Sequence, residues 1–151
     1  LVLLAGFTQF SKKIRSKFPT LHKRMGYLYV IVTLFLACPT VFIIGIYSNG
    51  CLSSQIAFCL LSVLWIVFTL IALLKILKKQ VLSHRVWMIR SFSLALSAIT
   101  LRAWKYILVA VFHPKPTDVY QVVAWSGWTL NLLVAELLIL NIIKNETKPA
   151  F

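Results

Sequence analysis

The chain has 151 residues, of which 60% are hydrophobic and only 13% charged, with a mean hydropathy of +0.89; soluble domains carry about 25% charged residues. That composition excludes a soluble domain and a disordered tail, and three cysteines with five glycines exclude a disulfide-rich module or a collagen-like fibre. Sixteen Lys and Arg against three acidic residues give a formal charge of +13; because most of these cations sit between apolar runs, they describe a membrane topology, and no nucleic-acid partner is expected.

A helix crossing the hydrocarbon core needs about 20 apolar residues. Residues 1–10 form an apolar half-span with neither an initiator Met nor a basic n-region, and they read as the end of a first span whose helix begins before Leu1. Residues 11–25 read as a basic loop, with Lys12, Lys13, Arg15, Lys17, Lys23 and Arg24. The first full span is 26–47, closed by the turn-like Ser48-Asn49-Gly50; Pro39 within it removes a backbone donor, frees the carbonyl of Phe35 and predicts a kink. The second is 54–74, followed by a second basic loop at 75–83. The third, 84–112, stops before Pro114 and Pro116, and the fourth is 119–143. The expected fold is an all-α polytopic transmembrane helical bundle of one domain, with four full spans plus the C-terminal part of an additional first span.

Basic residues are retained on the cytoplasmic side, and they alternate consistently from loop to loop. Both basic loops and the C-terminus, with Lys144 and Lys148, are therefore expected in the cytoplasm, and the Asn-Gly and Pro-Lys-Pro loops outside, with the chain in the cell's inner (cytoplasmic) membrane. Aromatic residues fit this frame as interfacial anchors: Tyr47, Trp104, Tyr106, Tyr120 and Trp125 at the outer boundary, and Tyr27, Tyr29 and Trp87 at the inner one.

Ionisable residues inside a span are candidates for function because they are costly there. Arg90, Arg102 and Lys105 share an arc of the third full helix, flanked by Ser93, Ser97, Thr100 and Trp104, which leaves Phe92, Leu96, Ile99 and Ala103 as the lipid-facing stripe. Such a helix belongs in the middle of the bundle. Antiparallel packing against the last helix puts Glu136 at nearly the depth of Arg90, so the two are expected to form a structural ion pair. Arg102, left without a carboxylate, is expected either to cap backbone carbonyls or to line an outward-opening polar cavity with Asn131, Trp104, Trp125 and Thr129, there to hold water, a lipid headgroup or a small polar ligand. Lys105 is near enough to the surface to snorkel.

His22 and His84, the latter followed by Arg85, fall at the cytoplasmic interface, where they contact lipid phosphate or, alternatively, ligate a b-type haem or a metal. His113 reads as a loop residue. Cys38, Cys51 and Cys59 lack Cys-x-x-Cys spacing and read as free thiols. No hydrolase triad, HExxH, Walker or dinucleotide motif is present.

The strings LHKRMGYLYV (21 to 30), SHRVWMIRSFSLALSAITLRAWKYIL (83 to 108), PKPTDVYQVVAWSGW (114 to 128) and NLLVAE (131 to 136) resemble a bacterial multi-pass family catalogued as domain of unknown function 2306. GFTQF (6 to 10) looks like the end of that family's first span, and the likeness covers nearly the whole chain. The resemblance implies His22, Gly26, Tyr29, His84, Arg85, Arg90, Arg102, Asp118, Asn131 and Glu136 as signature positions and implies no established activity. The His-Pro element usual in the family's first span is not among these residues.

Two functions follow as expectations. The first is a binding protein or accessory subunit that holds a lipid, a quinone or a small anionic ligand, with membrane lipids, other subunits of a membrane complex or further copies of itself as partners. The second is a haem-b redox protein using His22 and His84. An oligomeric transporter ranks third, since the chain is short and has no internal repeat.

Overall fold

The computed structural model describes residues 2–10, 16–48, 52–112 and 116–146. The sequence positions Lys12, Lys13, Arg15, Cys51, His113 and Lys148 lie outside them. The described residues are helical with no strand. We number the helices α1 (Val2–Phe10), α2 (Pro19–Ile46), α3 (Leu52–Leu77), α4 (Val81–Phe112) and α5 (Pro116–Glu146). The last four are long and apolar enough to cross a membrane.

Helix α2 starts seven residues before the expected boundary at residue 26, and the reason is local. Pro19 occupies the first turn after Phe18, where its fixed φ suits a helix and its missing N–H is one of the four that no helix satisfies internally. Residues 19–25 thus extend the helix beyond its apolar run rather than forming a loop. In mid-helix, Thr33–Ala37 widen into a π turn in which the Cys38 amide donates to the Thr33 carbonyl. This turn lies immediately before Pro39, where the missing amide and bulky ring rule out ordinary α spacing. The Thr40 hydroxyl donates to the Leu36 carbonyl at 2.6 Å, and the Ser62 hydroxyl from α3 donates to that of Cys38 at 2.8 Å. Cys38 and Cys59 are free thiols.

The α3–α4 turn is a Schellman motif: the Gln80 amide donates to the Lys75 carbonyl and the Lys79 amide to that of Ile76, both at 2.9 Å. Lys79 takes φ of 58° there, the left-handed conformation usually given to glycine.

Helix α4 is the hub, packed along α3 and α5 and touched by α1, which lies mainly on α2. Small residues set these approaches. A Cβ added to Gly6 would stand 2.1 Å from the Phe92 ring, so only glycine lets α1 close over α4; a Cβ at Gly127 would meet Leu101 Cβ at 3.2 Å. Phe7 completes the contact edge-on, its ring centroid 5.2 Å from that of Phe92. Phe92 is consequently buried, and Leu96 half-buried, whereas we expected both to face lipid. A helical wheel for α4 alone does not show that α1 covers that stripe.

A chain of hydroxyls crosses the core. Tyr29 is 0% exposed and bonds Ser91 at 2.9 Å; Ser91 bonds Thr69 at 2.7 Å, and the Trp65 indole donates to the Tyr29 oxygen at 3.5 Å. Tyr29 is therefore a core residue linking α2, α3 and α4. The expectation that it anchors at the headgroup level fails because its hydroxyl finds partners inside the bundle. Tyr27, two positions away and so on the opposite face, is exposed.

Candidate functional site

A cavity of about 870 Å³ lies at the end of the bundle where Lys23, Lys75, Lys78 and Arg85 gather. Helix α5 contributes Asn131, Val134, Ala135, Leu138, Asn141 and Ile142, one face at helical spacing with an amide at each end. From α4 come His84, Arg85, Met88, Ile89, Phe92, Ser93 and Leu96. Helix α2 adds His22, Lys23, Gly26, Tyr27 and Val30, while Phe7 and Gln9 of α1 and Leu73 and Ile76 of α3 close the remaining sides. Along α4, the stretch from His84 to Leu96 spans about 18 Å at 1.5 Å per residue.

This lining is chemically graded. The deep part is aliphatic and aromatic, ending on the Asn131 amide; the mouth holds two cations and two imidazoles. No carboxylate is among the described lining residues, so the lining they form at the mouth is one of positive potential against a low-dielectric wall. Gln9 donates from its amide nitrogen to the His22 carbonyl at 3.1 Å, fastening α1 to α2 at the mouth. Gly26 makes room for it, since a Cβ there would stand 3.3 Å from the Gln9 amide oxygen. His84 is held through Nδ1, which lies 2.7 Å from the Ala72 carbonyl.

The five residues expected to form an outer cavity are not brought together. The Arg102 guanidinium is exposed and donates at 3.3 Å to the Ala98 carbonyl, one turn back on its own helix. Trp125 donates its indole N–H to the Ser53 hydroxyl at 3.0 Å, Thr129 is exposed and donates to the Trp125 carbonyl at 2.7 Å, and Trp104 is half-buried. Asn131 alone lines the inner cavity. Its amide nitrogen donates to the Ser93 carbonyl at 3.1 Å and to the Thr100 hydroxyl at 3.0 Å, while Thr100 donates to the Gly127 carbonyl at 2.8 Å. Helix geometry gives the reason: two residues turn about 200°, so once Thr100 and Asn131 face each other across the α4–α5 interface, Arg102 and Thr129 must face away.

Arg90 and Glu136 do meet. The Arg90 Nε donates to Glu136 Oε1 at 2.6 Å and its terminal nitrogen to Oε2 at 3.0 Å, a bidentate fork, with the guanidinium carbon 4.6 Å from the Trp87 ring centroid. Their side chains are 23% and 47% exposed. Neither lines the inner cavity; the pair joins α4 to α5 outside it.

Gln9, Lys23 and Asn141 were not among the expected site residues. The readable signal was the Asn131 to Asn141 stripe of α5, whose polar ends bracket an apolar face.

The chain belongs to the family described as predicted membrane protein DUF2306, whose model matches residues 1–139. With that membership and its apolar helices it is a multi-pass membrane protein. No curated protein and no solved structure matches it.

Proposed function

We propose that this DUF2306 protein binds an amphipathic anion in the cavity at the basic end of the bundle, acting as a binding protein or as an accessory subunit of a membrane assembly. One observation carries the reading: a single cavity joins an apolar body to a mouth with two cations and, among the described lining residues, no carboxylate. The head of the ligand sits between Lys23 and Arg85, and its apolar part lies along Met88, Phe92 and Leu96 toward Asn131. Burying an apolar group there gains about 25 cal/mol per Å², and the cations contribute charge-assisted hydrogen bonds to the head. With the basic loops in the cytoplasm, as their Lys and Arg content favours, the mouth opens at the cytoplasmic leaflet of the inner membrane, where anionic lipid is at hand.

Thermal stability in neutral detergent, measured with anionic and with zwitterionic amphiphiles of the same chain length, tests this. Anionic amphiphiles should raise the melting temperature, and the charge reversal Lys23→Glu with Arg85→Glu should remove that selectivity. Equal shifts from both head groups, or selectivity retained by the reversed variant, would contradict the proposal. A phospholipid and a soluble acidic amphiphile share this chemistry; lipid analysis of the purified protein distinguishes them.

A further inference from the structure

Helices α2 and α4 both begin at the basic end, and Tyr29 of α2 meets Ser91 of α4 at 2.9 Å. Seven residues before each stand His22 and His84. Seven residues fall about 20° short of two turns and cover about 10 Å, so each histidine occupies its helix's Tyr29 or Ser91 face, nearer the mouth. Both line the cavity. They therefore hold facing positions across the gap that the Tyr29–Ser91 bond spans above them.

The proton on His84 is assignable. A carbonyl oxygen only accepts, so in the 2.7 Å contact Nδ1 donates its proton to the Ala72 carbonyl, and in the neutral ring of that tautomer the lone pair that can ligate is on Nε2. Ligating histidines are characteristically oriented in this way, through a backbone carbonyl on the other ring nitrogen. The donor set also limits the metal. Among the described residues no group of three His, Cys, Asp or Glu converges, so a bare zinc ion, which takes four ligands, has no site here. Two histidines suffice only for a metal that brings its own equatorial donors. Each histidine is also followed in sequence by a cation, Lys23 and Arg85, and both cations line the same cavity.

We infer that the cavity holds a b-type haem, with His22 and His84 as axial ligands, the propionates toward Lys23 and Arg85, and the macrocycle against the apolar wall. This rests on the reading of the cavity as a pocket for an amphipathic anion and deepens it, since haem carries two carboxylates on an apolar ring.

The test is a haem titration of the full chain in mild detergent, followed by absorption and electron paramagnetic resonance spectra, with lipid analysis of the same sample. The expected result is a Soret band, a low-spin ferric signal and sharp visible bands on reduction. His84→Gly and His22→Gly should each lose the low-spin signal and regain it with added imidazole, a rescue that only a folded pocket can show. Lys23→Ala with Arg85→Ala should keep the low-spin spectrum and weaken haem binding about tenfold, or about 1.4 kcal/mol. A parent protein that gives no Soret band yet selectively retains an anionic amphiphile would overturn the haem assignment and leave the cavity reading standing. Retention of neither would overturn both. A His84→Gly spectrum identical to that of the parent would overturn the ligand assignment.

Discussion

Replacing Glu136 with Gln removes the counter-charge of Arg90 and leaves its volume nearly unchanged. The span Val119–Lys144 of α5 has its midpoint near Asn131, and that of α4, Val81–Val111, near Leu96. At 1.5 Å per residue, Glu136 lies about 7 Å and Arg90 about 9 Å from the bilayer centre, within a hydrocarbon half-thickness of about 15 Å. The exposed part of the pair therefore faces lipid rather than water, so little aqueous screening weakens it. Breaking a fully buried pair costs about 3 to 5 kcal/mol, and an arginine at the centre of a spanning helix costs about 2.5 to 3.5 kcal/mol on insertion scales. Trp87, retained beneath the guanidinium, offsets about 0.5 to 1 kcal/mol. Glu136→Gln should thus destabilise by about 2 to 3 kcal/mol, measured by equilibrium unfolding in mixed micelles. Arg90→Met should cost a similar amount, and the double variant Arg90→Met with Glu136→Leu should cost less than the sum of the two single changes, because no charge is then left unpaired. Strict additivity, or a Glu136→Gln variant as stable as the parent, would refute the reasoning.

Gly6→Ala should destabilise by about 1 to 3 kcal/mol in the same assay, because the Phe92 ring occupies the space a methyl group needs. Tyr29→Phe should cost about 1 to 2 kcal/mol by taking the hydroxyl from between Ser91 and Trp65; no loss would show the hydroxyl chain to be idle. Lys79→Gly should stabilise by about 0.5 to 1 kcal/mol, since φ of 58° suits glycine, and a lower melting temperature would contradict this. For topology, an impermeant thiol reagent applied to intact cells should label Cys51 and spare a cysteine placed at Lys78; the reverse pattern would turn the molecule over.

The spans were legible because hydropathy and charge act along the chain, and each loop's Lys and Arg mark it without reference to any neighbour. Helix ends were less so: hydropathy stopped at Gly26, while the structural signal for the start of α2 was Pro19. The Arg90–Glu136 meeting could be approached from depth alone, since antiparallel helices convert sequence offset into height. Azimuth is different. Whether Arg102 or Thr100 faces α5 depends on which side of α4 its neighbours occupy, and no single-helix wheel contains that. The same gap hid the burial of Phe92 under Gly6 and the turn of Tyr29 into the core. The cavity, built from five helices, required all of these azimuths at once, although the two histidines at its mouth were identifiable by type.

Mass measurement of the intact protein released from its native membrane tests most directly whether the inner cavity is a binding site. Val134 lines the cavity from an exposed position on α5, so Val134→Trp fills the space with little disturbance to the packed interfaces. The parent should fly with one anionic amphiphile per chain, and Val134→Trp should lose it while unfolding, in neutral detergent without amphiphile, at a temperature similar to that of the delipidated parent. Equal occupancy in parent and variant, or a parent that carries no amphiphile, would contradict the assignment of the cavity as the site.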